Sequence, residues 1–193
     1  EICACLVGSE MCIRDRNYSD VTSEGGYSDT EAGLNAVVNA CYTPLRFWAG
    51  KEDAIGLSET GTDIIAAGSG CVDNNMAAYT QSLDGTNSAC TFYFDRFYAA
   101  INWCNTAIFH AQTVPNPSND EILATTLNKR EAEARVLRTF YYWILTETFG
   151  DTYYTDQPST SIVMNPVKTS TDNIYQYMLS LIHISEPTRH AQI

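Results

Sequence analysis

One segment constrains the fold of this chain more than any other. It occupies residues 133–151 and reads EARVLRTFYYWILTETFGD, with charged residues first, a broad apolar surface next and Phe-Gly-Asp at the end. The spacing of its apolar residues predicts a helix, and Gly150 fits the position just beyond a helix end, where glycine is favoured. Because apolar side chains cover so much of its circumference, this helix is predicted to pack between neighbouring helices.

Both ends of the chain resemble translated adapter DNA. Residues 179–189 read LSLIHISEPTR, and residues 6–16 read LVGSEMCIRDR. Opposite strands of one oligonucleotide, which matches a transposase sequencing adapter, can encode these two peptides. We therefore expect residues 1–16 and 179–193 to be adapter artefact and residues 17–178 to be the native part. On this interpretation, no site is built from the cysteines and histidines of the ends, which are Cys3, Cys5, Cys12, His183 and His190.

The native part is strongly acidic. Without the two ends, 19 of the 23 acidic and 8 of the 11 basic residues remain, which gives a net charge of −11. An acidic surface without a run of Lys or Arg argues against a nucleic-acid partner. No apolar run approaches the roughly 20 residues that a membrane-spanning helix needs, so no such helix is expected.

A first helix is predicted close to residue 30, followed by a long loop. Residues 28–31 read SDTE, a capping-box pattern with Ser28 as the N-cap, and Pro44 is expected to kink or end the helix. From residue 50 to residue 90 the chain is polar and punctuated by glycine, which predicts a long loop with short helical turns. The apolar face of this helix consists of Leu34, Val37, Val38, Cys41 and Leu45.

Further helices are predicted at about residues 91–112 and 120–149, and a break in the latter near residues 125–128 is left open. Between them, residues 114–118 read VPNPS and form a linker. An irregular stretch follows the third helix, and a fourth begins at residues 170–172. The buried stripe of the second helix consists of Phe94, Phe97, Ile101, Cys104 and Ile108.

These elements predict an all-α fold of antiparallel helix pairs joined by long loops, with almost no strand pattern. Tetratricopeptide-like architectures are built in this way, since each helix pair needs its neighbours to cover its apolar face. A strict 34-residue repeat is not visible in the sequence.

Four segments resemble, in order, the helical motifs of one family, the SusD/RagB-like proteins. Residues 39–45 are similar to an early helix of that family. The second helix matches at Phe94, Tyr98, Ile101, Asn105 and Ile108. The third is the strongest match and resembles the family's EA-x-FLRA-x-x-YF-x-L-(x)-x-FGD motif at Glu133, Ala134, Leu137, Arg138, Tyr142, Leu145, Phe149, Gly150 and Asp151. The fourth matches at Ile174, Tyr175 and Met178.

The chain departs from the family pattern at several positions. Phe94 replaces the usual Trp, and Cys104 replaces Ala. Residues 152–154 read TYY where the family usually has Val-Pro, while Val136 and Thr139 replace Phe and Ala. These changes alter the packing around one loop and leave the resemblance intact. The motif residues themselves are expected to be structural, with Arg138 bonded to a carbonyl or carboxylate and with Glu131 and Arg135 as an i,i+4 pair.

The resemblance implies a non-catalytic, cell-surface protein that binds a glycan and delivers it to a SusC-like TonB-dependent outer-membrane transporter. It implies the extracellular face of the outer membrane, reached through an N-terminal lipid anchor absent from this chain. Residues 17–178 would then be the N-terminal part of a truncated SusD-like helical domain. Two alternatives stay open: a peptide-binding RagB-like member, and a helical-repeat interaction module without a small ligand.

Sugar recognition needs flat aromatic faces beside amide, carboxylate or guanidinium groups that match hydroxyls. The loop at residues 68–90 offers that mixture, and its candidate ligand residues are Asp73, Asn74, Asn75, Tyr79 and Gln81. The alternative is that they are ordinary turn residues. Trp48 is a weaker candidate, whereas Trp103 and Trp143 are expected in the core.

In a protein outside the cytoplasm, as the resemblance implies, the four cysteines of residues 17–178 permit disulfides, and Cys71 with Cys90 would close one loop. Cys41 and Cys104 lie on apolar helix faces, where buried free thiols are common. No CxxC sequence and no Cys/His cluster at ligand spacing occurs in this part, so neither a metal site nor a cofactor is expected.

A glycosidase would need two carboxylates held across a cleft. Glu131 and Glu133 are two positions apart on one predicted helix and therefore lie on different faces. The sequence also has no HExxH, no GxSxG and no phosphate-binding glycine loop. We therefore expect no catalytic residues.

Overall fold

The computed structural model describes residues 30–49, 55–56, 58–66, 68, 78, 87–116, 118–159 and 164–185. Most of these residues are helical, and two short strands pair in antiparallel fashion. The predicted all-α class is therefore confirmed. The helices are α1 (Glu31–Cys41), α2 (Leu45–Ala49), α3 (Ser88–Thr113), α4 (Glu121–Phe149) and α5 (Thr171–Ser185), and the strands are β1 (Thr152–Tyr153) and β2 (Lys168–Thr169).

The first helix, α1, begins later than the capping-box pattern predicts. Its N-cap is Thr30, whose Oγ1 accepts a hydrogen bond from the amide of Gly33 at 3.1 Å. The prediction of Ser28 as N-cap is therefore wrong, because Thr30 supplies an equivalent oxygen two residues closer to the first buried turn. Pro44 lies after the end of α1, as predicted, and directly before α2, where the missing amide proton is tolerated.

The two long helices α3 and α4 form an antiparallel hairpin around which the other elements pack. Gln112 near the end of α3 contacts Glu131 in the first half of α4, whereas Phe94 near the start of α3 contacts Phe149 at the end of α4. The linker at residues 114–118 connects the two helices as predicted.

Helix α4 is continuous, so the break considered near residues 125–128 does not occur. Thr125 and Thr126 lie in this segment, and threonine is a weak helix former. Their hydroxyls donate to the carbonyls four residues earlier, at 2.7 and 3.0 Å. These bonds satisfy the two hydroxyls within the continuous helix.

One apolar core lies between α1, α3, α4 and α5. The stripe predicted on α3 is confirmed except for Phe94, which is 40% exposed, while Tyr93 is fully buried. Tyr93 completes the i, i+4 series with Phe97 and Ile101 and turns Phe94 to the edge. Buried members of the core include Leu34, Val38, Cys41, Tyr93, Phe97, Ala100, Ile101, Cys104, Ala134, Leu137, Tyr141, Tyr142, Leu145, Ile174 and Met178.

Two tryptophans predicted in the core lie at its surface instead. Trp103 on α3 is 37% exposed and Trp143 on α4 is 43% exposed. Both helices turn one face toward the core, and each tryptophan lies away from that face. An apolar side chain on a helix is often exposed in this way, since polar surface alone does not cover a protein.

The Phe-Gly-Asp sequence ends α4 and also fixes the start of α5. Gly150 has a φ of +71°, which strains any residue with a Cβ, and its amide donates to the carbonyl of Thr146 at 2.9 Å. Oδ1 of Asp151 accepts from the amide and the hydroxyl of Thr171, at 2.9 and 3.0 Å. Between these two points β1 pairs with β2, a ladder too short for the sequence pattern to predict.

Candidate binding cleft

A polar cleft of about 130 Å³ lies where α3, α4 and the segment after β1 meet. Helices α3 and α4 each contribute side chains to its lining, and residues 156–158 contribute the rest. Its polar lining consists of Asn105, Gln112, Arg135, Arg138, Asp156 and Gln157. Cationic, amide and carboxylate groups together suit a polar or charged ligand.

One lining residue is a buried cation. Arg138 is 2% exposed, and its Nη1 donates to Oδ1 of Asn105 at 2.6 Å and to the backbone carbonyl of Asp156 at 3.3 Å. Both acceptors are neutral. The buried Nε has no hydrogen-bond partner within the described part of the chain. Burial lowers the pKa of Arg138, but arginine titrates so far above neutral pH that the guanidinium keeps its charge.

Asn105 joins Arg138 to the loop after β1. Its Nδ2 donates to the carbonyls of Thr155 and Gln157, at 3.2 and 3.0 Å, while its Oδ1 accepts from Arg138. A carboxamide can donate on one side and accept on the other, which a carboxylate cannot do. The asparagine therefore suits a position between backbone carbonyls and a cation.

Two tyrosines hold the same loop by its backbone. The hydroxyl of Tyr98 donates to the carbonyl of Tyr153 at 2.8 Å. The hydroxyl of Tyr142 donates to the carbonyl of Thr155 at 2.9 Å and accepts from the amide of Thr155 at 2.8 Å. Burial raises the pKa of both tyrosines, so both hydroxyls remain protonated donors at neutral pH.

A second cation in the cleft is neutralised by a neighbouring carboxylate. Nε of Arg135 donates to Oε1 of Glu131 at 2.9 Å, and Nη2 bonds the same oxygen. Nε2 of Gln112 donates to that oxygen as well, at 2.9 Å. The predicted i,i+4 pair of Glu131 and Arg135 is thus confirmed. The two arginines differ, because Arg135 is bound to a carboxylate and Arg138 to neutral oxygens.

An aromatic row, made of Tyr142, Tyr154 and Tyr177, leads from the core to the surface beside this loop. The rings of Tyr142 and Tyr154 have centroids 5.0 Å apart, and those of Tyr154 and Tyr177 stack at 4.4 Å with an interplanar angle of 17°. Tyr177 is 45% exposed. The row therefore presents one aromatic ring to solvent close to the segment that lines the cleft.

The ligand residues predicted from the sequence lie outside the described residues. These are Asp73, Asn74, Asn75, Tyr79 and Gln81. Cys71 also lies outside them, so its bridge to Cys90 stays a prediction. Trp48, the weaker ligand candidate, is partly buried and packs edge-on against Tyr93 and Phe97, with ring centroids 6.5 and 5.9 Å away. That packing is a core role.

The motif residues divide into two groups in the fold. Arg138 and Tyr142 belong to the network that holds the loop, as do Tyr98 and Asn105 of α3. Glu133 lies apart from that network and pairs with Arg130 at 2.7 Å, one helical turn earlier. Of the two partners predicted for Arg138, a carbonyl or a carboxylate, the structure shows a carbonyl.

Sequence reasoning missed the cleft itself. Gln112 is an ordinary polar residue of the second predicted helix, and Asp156 and Gln157 are ordinary polar residues of the irregular stretch after the third. Nothing in their local sequence sets them apart. The available signal was the presence of Asn105 and Arg138 on apolar helix faces, since a polar side chain in a core position needs a partner there.

Cys41 and Cys104 are buried free thiols, as predicted. A hydrogen bond between Cys104 and Cys41 raises the pKa of Cys104, and burial raises it further. A thiol with a raised pKa is a poor nucleophile, because the thiolate is the reactive form. This pair therefore serves as core packing between α1 and α3.

No family model, curated protein or solved structure matches this chain. Across the described residues, no three His, Cys, Asp or Glu side chains are grouped as metal ligands would be. Among the helices of that part, none is long and apolar enough to cross a membrane.

Proposed function

We propose that this chain is part of a SusD/RagB-like nutrient-binding protein, which binds a glycan at the cell surface and delivers it to a SusC-like TonB-dependent transporter. The supporting observation is that residues from separate motif matches bond one another. Asn105 of the second-helix motif accepts from Arg138 of the third-helix motif at 2.6 Å. Residues of two matched motifs thus meet in the fold.

The Phe-Gly-Asp end of the strongest motif gives further support. Gly150 ends α4, and Asp151 caps α5, the helix that carries the fourth motif match. Two adjacent motif residues thus position two of the matched helices relative to each other. We also propose that the helix pairs stack in the tetratricopeptide-like manner, with further helices covering the exposed side of α4.

The proposed role is binding without catalysis, at the extracellular face of the outer membrane and with a lipid anchor that precedes this segment. The engaged carboxylates of α4 support a non-catalytic role. Glu131 is bound to Arg135, and Glu133 to Arg130, so both serve as ion-pair partners.

The test is a polysaccharide-binding screen with matched tyrosine variants of the chain. Tyr79→Ala removes an aromatic face from the predicted ligand loop and should weaken glycan binding about tenfold. Tyr42→Ala is the control, since Tyr42 is 41% exposed on a turn remote from that loop in sequence. If Tyr79→Ala binds glycan as tightly as Tyr42→Ala does, the ligand role of the loop is rejected. Binding of short peptides instead of glycans would favour the RagB-like alternative.

A helical-repeat interaction module remains the second candidate, because α4 exposes apolar residues that a neighbouring helix could cover. Val136 and Trp143 are 54% and 43% exposed on that side. The two functions differ in genetic context: a TonB-dependent transporter gene beside the intact gene would favour transport, and its absence would favour the interaction module.

A further inference from the structure

We propose that the cleft between α3, α4 and residues 156–158 binds the carboxylate group of a small acidic ligand. The site is separate from the predicted ligand loop at residues 73–81, and it stands whether or not the transport function holds. A uronic-acid sugar and the C-terminus of a short peptide both present this group, so the experiment below distinguishes them.

The central observation is that Arg138 is buried and charged but bound to neutral oxygens. Its partners are the amide oxygen of Asn105 and the backbone carbonyl of Asp156. Its Nε is left without a hydrogen bond in the described part of the chain. Buried polar groups normally have partners, and a buried charge without an opposite charge is unfavourable. A carboxylate supplies both a counter-charge and acceptor oxygens.

Among the described residues no carboxylate forms an ion pair with Arg138, although, against the larger effect of burial, the charge of Asp156 acts to raise the pKa of the guanidinium. Glu131 is engaged by Arg135 and Gln112. Asp156 offers Arg138 its backbone carbonyl, while its side chain is exposed. Arg138 is therefore the cation of the cleft that remains for a ligand.

The size and lining of the cleft limit what it can take. The cleft volume of about 130 Å³ is small beside the roughly 300–1,000 Å³ of typical small-molecule pockets. That space admits a carboxylate with the few atoms attached to it, and the rest of a larger ligand would extend outward. The exposed side chain of Gln157 also lines the cleft and offers an amide to such an extension.

The experiment is an NMR titration of the full 193-residue chain, which observes the arginine Nε–H signals. The probes are sodium glucuronate, glucose, a blocked tripeptide acid and the corresponding tripeptide amide. We expect at least one of the two acids to shift the Arg138 signal with a Kd on the order of 1 mM, and the neutral probes to leave it in place. The signal is assigned by its loss in Arg138→Lys.

A matched pair of charge variants tests the location without altering Arg138. Gln157→Glu places a negative charge in the cleft lining and should weaken acid binding about 3- to 10-fold. Gln176→Glu makes the same change on an exposed position of α5 that does not line the cleft, and should leave the Kd within about twofold.

Glucuronate binding assigns a sugar acid, and tripeptide-acid binding without glucuronate binding assigns a peptide terminus; either supports the carboxylate site. The proposal is overturned if both acids leave the Arg138 signal unchanged, if glucose shifts it as strongly as glucuronate does, or if Gln176→Glu weakens binding as much as Gln157→Glu. None of these results depends on Tyr79 or on polysaccharide binding.

Discussion

The two sides of α4 are both rich in large apolar and aromatic residues, yet one is buried and the other is not. On the inner side, Tyr141 and Leu145 are fully buried against α1 and α3. On the outer side, Val136 and Trp143 are 54% and 43% exposed, and Phe140 packs against Trp143 with ring centroids 5.8 Å apart. Hydrophobicity alone would not show which of the two sides of α4 is buried.

The difference lies in what each side meets. The hydroxyl of Tyr141 donates to the backbone carbonyl of Cys41 at 2.6 Å, and that of Tyr142 bonds the backbone of Thr155. A buried tyrosine therefore needs a partner at a fixed place, whereas Trp143 needs none at the surface. The hydrogen bonds of the tyrosine hydroxyls, more than the apolar surface of the rings, show which side of α4 faces the rest of the fold.

The largest expected effect separates the two sides directly. Leu145→Ala removes a fully buried side chain and should lower the free energy of unfolding by about 2–5 kcal/mol. Val136→Ala on the outer side should change it by less than about 0.5 kcal/mol. Urea unfolding followed by circular dichroism measures both. Losses of similar size would break the comparison, because they would mean that the outer side is covered in solution.

The polar network on the inner side gives the next effect. Asn105→Ala leaves the charge of Arg138 without its closest acceptor and should cost about 1.5–3 kcal/mol of stability. A double-mutant cycle with Arg138→Ala should show a coupling of about 0.5–3 kcal/mol. The same cycle with Arg130→Ala, whose partner is Glu133, should show additivity. Additivity in the first cycle would contradict the bond between Asn105 and Arg138.

The end of α4 is expected to contribute less. Gly150→Ala should destabilise the fold by about 1–2 kcal/mol, because its φ of +71° disfavours a Cβ. No atom of the described residues lies within 4 Å of a Cβ built there, so the loss reflects backbone strain without a clash. Gly68→Ala is the matched control, since a Cβ at Gly68 also meets nothing, and the φ of Gly68 lies outside the range from +20° to +160° that residues with a Cβ rarely adopt. Equal unfolding midpoints for the two variants would refute the strain.

The smallest effect concerns pH and the cap on α5. The hydrogen bonds from the amide and hydroxyl of Thr171 lower the pKa of Asp151. The stability that Asp151 contributes is therefore fully present above the unfolded-state pKa of about 3.9 and is lost as the pH falls through the lower folded-state value. Asp151→Asn should remove this part of the dependence of stability on acid pH. Thermal unfolding of both proteins between about pH 2 and pH 6 measures the difference. An unchanged pH profile would show that the cap does not titrate.

Local patterns were sufficient to predict the four longer helices and their order, although the short helix α2 was not predicted as a separate element. The bounds predicted for the second and third helices differ from α3 and α4 by three residues at most, because capping residues and prolines lie at the ends. The preference of glycine for helix ends also placed Gly150 correctly just after α4. The buried identity of Leu34, Val38 and Cys41 followed from helical spacing alone.

What sequence could not supply was the rotation of each helix and the long-range contacts. Tyr93 replaced Phe94 in the core because one residue of rotation decides which of two neighbouring aromatics faces inward. The cleft requires Asn105, Arg138 and Gln157 to come together from three separate segments. Neither spacing nor composition encodes that meeting, although an arginine on an apolar helix face indicated that some partner was required.

The loop after β1 is held by its main chain. Tyr98, Asn105 and Tyr142 bond the carbonyls of residues 153, 155 and 157 and the amide of residue 155. Main-chain groups are the same for almost every amino acid, so the anchoring is indifferent to the identity of the loop side chains. The loop can therefore accept substitution at its outward positions while its backbone conformation is kept. It is thus suited to the acquisition of new ligand preferences by mutation. It is equally suited to randomised libraries that alter the rim of the cleft.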